Sequence, residues 1–145
     1  MDIEKLKVDA EAGSVVAQGI LGISYLYGLD TSKDYAIALR WLTSAAARGA
    51  SRPTFHRGRM HEEGWGLPVD YKRAGRLYQE AADRGEWLAY IHLARMFRYG
   101  RGTDTSKQAA LEWYGCAVSE SETIAPCPEL EEAREYVALH HEPSS

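Results

Sequence analysis

The sequence predicts an all-α fold, an α/α superhelical solenoid built from antiparallel helix pairs. Three observations lead there: a residue pattern that recurs every 36 positions, apolar spacings of three and four inside each recurrence, and glycines where a helix would have to stop. Gly13, Gly49 and Gly85 lie 36 residues apart, and the columns between them repeat without insertion. Gly22 and Gly58 share a column with Ala94; Gly28, Gly64 and Gly100 form another, and Ala38, Ala74 and Ala110 a third. Trp41, Leu77 and Trp113 agree in bulk, followed by Leu42, Tyr78 and Tyr114, then Ala45, Ala81 and Ala117, then Ala46, Ala82 and Val118. Such a register marks one supersecondary unit copied along the chain, each copy covering the apolar face of the next.

Taken in order, helices are expected over residues 2–12, 14–27, 34–48, 51–63, 70–84, 86–99, 106–119 and 129–141. The first is an amino-terminal half unit, because Ala10 and Gly13 fall in the columns of Ala46 and Gly49. In the next, Ala17, Leu21, Tyr25 and Gly28 recur on one helical face, the expected core face. Gly28, Gly66 and Gly102 permit the positive φ that ends a helix and turns the chain back. Each second helix then begins near a suitable cap: Ser32 or Asp34, Pro68 or Asp70, Asp104 or Ser106. It carries alanines that allow close approach and an aromatic or leucine that fills the space between units. The last helix follows Pro126 and Pro128, and its Leu130, Ala133, Tyr136 and Val137 suit a cap over the open end of the stack. The organisation expected is one domain over residues 1–145: a half unit 1–13, repeats 14–49, 50–85 and 86–121, and a capping helix and tail 122–145.

Composition agrees with a globular domain, 145 residues at 45% hydrophobic. With 17 Lys+Arg against 21 Asp+Glu the net charge is −4, which gives no pull towards nucleic acid or an anionic membrane. Charge is polarised along the chain: residues 119–145 hold seven acidic side chains and one basic, and residues 50–85 seven basic and five acidic. No run approaches the roughly 18 apolar residues of a membrane helix, so no membrane insertion is expected. The start, Met1-Asp2-Ile3-Glu4-Lys5, lacks the order of a signal peptide. As written the chain reads as cytoplasmic, and as periplasmic or secreted if a signal has been removed. Cys116 and Cys127 are too few for a disulfide framework and lack metal-ligand spacing; whether they pair is open.

The units resemble Sel-one-like repeats (SLR), relatives of the tetratricopeptide repeat. The first reads Ala17-Gln18-x-x-Leu21-Gly22-x-x-Tyr25-x-x-Gly28, then Asp34-Tyr35, Ala38, Trp41, Ala45-Ala46 and Gly49. The second keeps Gly58, Gly64-x-Gly66, Asp70-Tyr71, Ala74, Ala81-Ala82 and Gly85; the third keeps Ala89, Leu93, Phe97, Gly100-x-Gly102, Ala110, Trp113 and Ala117. There are departures. Asp30 replaces a loop glycine, Pro53-Thr54 replaces Ala-Gln, and Arg57 stands where Leu21 and Leu93 stand, requiring either a snorkelling head or looser packing of the second unit. The resemblance implies a right-handed superhelix whose concave groove is lined by the first helices. It also implies an adaptor or scaffold for protein complexes that is not an enzyme. Some bacterial members are immunity proteins that neutralise a cognate toxin, which is the alternative role.

Opposite the core face, four columns of the first helices form a mixed apolar and cationic stripe: Val16, Arg52, Leu88; Ile20, His56, His92; Ile23, Arg59, Arg95; and Tyr27, Glu63, Tyr99. Met60 and Met96 adjoin it as adaptable apolar surface or as packing between helices, and Trp65, in a turn column with Leu29 and Arg101, and Trp87, in a column with Val15 and Ser51, are candidate anchors or inter-repeat packing. A protein partner with an acidic segment and an apolar anchor is expected, the arginines supplying bidentate contacts. Self-association stays open. No cofactor or metal is expected: equivalent positions in stacked repeats lie about 10 Å or more apart, and the arginines repel a cation. His140 and His141 belong to a solvated end. Glu62 and Glu63 are adjacent and so diverge on a helix, and no nucleophile elbow or phosphate loop occurs. No catalytic residue is expected.

Overall fold

The computed structural model describes residues 1–141, and the carboxyl-terminal end of the expected tail lies outside the described residues. Eight helices follow one another: α1 (Ile3–Glu11), α2 (Val15–Tyr27), α3 (Tyr35–Ala47), α4 (Ser51–Glu63), α5 (Tyr71–Asp83), α6 (Trp87–Tyr99), α7 (Lys107–Ser119) and α8 (Pro128–His140). Where two caps competed for a second helix, the side-chain oxygen nearer the helix wins: Asp34, Asp70 and Ser106 accept from the backbone N–H of Ile37, Arg73 and Ala109 at 3.0, 3.0 and 3.1 Å. Each cap satisfies one of the four amide donors a helix start leaves unpaired. The first helices end alike, on Gly28, Gly64 and Gly100, all left-handed at φ 70–71°.

The tightest packing is within units, α2 on α3, α4 on α5 and α6 on α7; α3 against α4 and α5 against α6 join one unit to the next. The Gly22, Gly58, Ala94 column marks the close approach inside a unit. A Cβ at Gly58 would stand 2.7 Å from the Tyr78 ring, and one at Gly22 the same distance from Leu42. Asp30 takes the left-handed conformation of the glycine it replaces, at φ 56°, which aspartate tolerates better than most residues.

The core runs through the stack as three contiguous clusters, from Ala10, Leu21 and Trp41 through Phe55, Tyr78 and Leu93 to Tyr114, Ala133 and Tyr136. In α4 the interior is filled by Phe55 and Met60, while Arg57 lies half-buried with its Nε making no hydrogen bond within the protein. Helix α8 packs on α7 and touches α6, burying Leu130, Ala133 and Tyr136. His140 is no solvated end, since its ring stacks on Tyr136 with centroids 4.0 Å apart. Among the described residues no helix is long and apolar enough to cross a membrane.

Candidate functional site

The stripe divides into an exposed edge and a buried seam. A first helix is flanked both by its own second helix and by the neighbouring unit, so the strip left open is narrower than an isolated helix would show. Val16 and Ile20 are 72% and 39% exposed, and Arg52, Glu63 and Tyr99 are exposed too. Ile23, Tyr27, Arg59 and Arg95 are half-buried. His56 and His92 are buried, and Met60 and Met96, at 0% and 3% exposure, belong to the core. The two methionines are therefore packing between helices and offer no adaptable surface. Trp65 is half-buried against the first core cluster, its ring stacked on Tyr35 and edge-on to Tyr27 with Arg59 over its face.

Under the stripe lies a polar and aromatic seam that joins all three repeats. Tyr27 Oη lies 2.8 Å from His56 Nδ1, and the His56 ring meets Phe55, which in turn meets His92. His92 Nδ1 is 3.4 Å from Glu62 Oε1, the same oxygen that accepts from Tyr78 Oη at 3.0 Å, and Arg101 stands 3.6 Å from Glu62 Oε2. Burial of His56, together with Arg52, Arg59 and His92 nearby, drives its pKa down to about 3. His92 is lowered by burial against the opposing pull of Glu62. Burial pushes Glu62 up, yet its hydrogen bond and attraction to His92, the Tyr78 hydroxyl and Arg101 hold it below the ordinary value. Tyr78 is raised, by burial first and by Glu62 second. The seam is thus a neutral histidine chain ending on a compensated carboxylate. Adjacency to Glu63 does not mark Glu62 as structural in the sequence; the signal is its column, where Leu26 stands one repeat earlier.

The cations of the stripe mostly have partners inside the chain. Arg52 grips the buried Glu86 at 3.2 and 3.3 Å, and Arg95 pairs with Glu132 of α8 at 2.8 Å. Arg59 is the least compensated, with Glu63 3.8 Å away. At the α2 end, Val15, Val16, Ile20, Ile23 and Pro53 line an apolar cleft of about 220 Å³ with Arg52 on its rim. Cys116 and Cys127 are unpaired thiols, and burial with Glu112 and Glu120 raises the Cys116 pKa away from the thiolate a nucleophile needs. Among the described residues no three His, Cys, Asp or Glu side chains converge as a metal site.

Stacked helix pairs presenting a surface, with the polar groups beneath committed to one another, define a repeat-type protein-interaction module. The sequence matches the Sel1 repeat at residues 15–49, 55–86 and 87–121, and the chain belongs to the Sel1 repeat family. Its structure superposes on the Sel1 repeat protein from Oxalobacter formigenes with a TM-score of 0.75 and 30% identity, covering 94% of this chain and 97% of that one. In sequence it is 35% identical over 72 residues to the ERAD-associated E3 ubiquitin-protein ligase component HRD3A of Arabidopsis thaliana, half of this chain and 11% of that protein. It is 33% identical over 95 residues to DAP3-binding cell death enhancer 1 of Mus musculus, 66% of this chain and 18% of that protein. The chain therefore corresponds to a small part of these curated relatives. The family's repeats are protein-interaction modules, used in adaptor and scaffold components.

Proposed function

We propose that the chain is a non-catalytic adaptor that holds a partner protein along its first helices, with the apolar cleft between α2 and α4 as the anchor point. The observation that supports this most is the exposure of Val16 and Ile20 over that cleft, beside Arg52, with Arg59 about two turns further along α4. Apolar side chains left open beside cations suit a segment that inserts an aliphatic or aromatic residue and sets carboxylates against the arginines. Because Arg52 and Arg95 are already paired, the apolar contact supplies most of the affinity and Arg59 the main charge contact. The likeness to one relative named for binding another protein, and to one named as a component of a ligase, supports an adaptor role.

The experiment compares proteins captured from lysate by the parent chain and by an Ile20→Asp, Arg59→Glu variant with unchanged helical circular dichroism. Species retained by the parent should be lost by the variant, and weakened by salt. Retention of the same species by both, at the same level, removes this face as the binding surface.

A further inference from the structure

The two junctions between successive units differ at three equivalent positions. At the first junction Leu39, Trp65 and Leu67 fill the space between α3 and the turn after α4, all packed on the core there. One repeat on, these positions are Gly75, Arg101 and Thr103. The result is a cleft of about 350 Å³ between α5, α6 and the turn that follows, floored by Leu93, Met96 and Phe97. Nothing but Met96 Sδ, at 3.5 Å, lies within 4 Å of where a Cβ on Gly75 would be. Lys72, Arg76 and Arg101 stand around it, and no acidic side chain among the described residues lines it.

We propose that this cleft is a second docking site, taking a partner-protein segment that carries one Trp- or Leu-sized side chain flanked by carboxylates. The preceding junction, where Trp65, Leu39 and Leu67 pack on the core, accommodates an indole with two leucines at this place in the fold. Lys72 and Arg76, with Arg101 shared with Glu62 at 3.6 Å, give the cleft a cationic rim that favours carboxylates beside the inserted residue. The site is separate from the α2–α4 cleft, since the two share no lining residue. It shares with the proposed function only the premise that the occupant is protein.

The test titrates the full, ¹⁵N-labelled chain with the blocked peptide Asp-Glu-Asp-Trp-Glu-Asp-Glu and follows backbone amides by NMR. Shifts should concentrate at residues 71–79 and 93–103 and saturate with a dissociation constant on the order of 100 µM. Gly75→Leu, which fills the cleft as Leu39 does, should weaken binding about tenfold while melting no lower than the parent. Thr103→Leu, on the exposed turn, gives an independent filling variant that does not alter a helix. Arg76→Glu should weaken the shifts at residues 71–79 and 93–103 severalfold, whereas Lys5→Glu, the same charge change on α1, should leave them unchanged, which separates contact at this cleft from a general charge effect. Replacing the peptide's Trp by Ala, or its acids by Lys, should abolish the shifts. The proposal is overturned if those amides do not move at about 1 mM peptide, if both filling variants bind as the parent does, or if indole-3-acetate alone binds as tightly as the peptide.

Discussion

Acidification from about pH 7.5 to about pH 5 should cost this fold about 2 kcal/mol through His56 alone. In the folded chain burial holds His56 near 3, whereas the unfolded chain offers an ordinary imidazole at 6.5. Below 6.5 the unfolded state therefore binds a proton that the folded state refuses, so stability is full above that value and is lost progressively as pH falls towards 3. At about pH 5 the unfolded imidazole is about 97% protonated, and the linkage integral, RT ln(1 + 10^1.5), is about 2 kcal/mol. Because about pH 5 lies well above the folded value, the size of the loss is set almost wholly by the unfolded-state titration. His92 adds in the same direction, less strongly because Glu62 opposes its shift. Against a total stability of roughly 5–15 kcal/mol this is a large fraction. The assay is urea unfolding at both pH values for the parent and for His56→Gln, which keeps a hydrogen-bonding partner for Tyr27 and removes the titration. The parent should lose about 2 kcal/mol more than the variant over that interval. Equal losses in both, or an NMR titration placing His56 above about 6 in the folded protein, would refute the account.

Glu62→Ala should destabilise the chain by about 3 kcal/mol in urea unfolding, since it strands the Tyr78 hydroxyl, His92 and Arg101 around an empty buried site. Gly58→Ala should cost about 1–3 kcal/mol, because its methyl group meets the Tyr78 ring at 2.7 Å. Gly115→Ala in α7, with nothing within 4 Å of its Cβ, should instead stabilise by about 0.5–1 kcal/mol; a calorimeter reading the same sign for both would contradict the packing described. Asp70→Ala should lower stability by about 1 kcal/mol through loss of the α5 cap at Arg73 N–H, measurable as a shift in urea midpoint.

The repeat, the helix pairs and the glycines near the helix ends were legible because they depend on short-range rules. A 36-residue period, a 3.6-residue face and a cap oxygen each act within one unit, so they survive as pattern in one dimension. The Ala17, Leu21, Tyr25 face is buried as its spacing required, and the eight helices lie within a few residues of their expected bounds. The exposure of the stripe was not legible, because it depends on how far two neighbouring elements close over each first helix. His56 and His92 occupy the same column as the exposed Ile20, yet the aromatic Phe55 and Tyr78 and the Glu62 carboxylate gather around them from different helices. Arg95 looked like a free cation until α8 brought Glu132 to it across an intervening loop with no repeat register to follow. The cleft beside Gly75 was not legible either, since Gly75, Arg101 and Thr103 are far apart in sequence and meet only where α5, α6 and a turn converge. Periodicity selects which residues share a face; which of them meet water is decided by the contacts that other elements make in three dimensions.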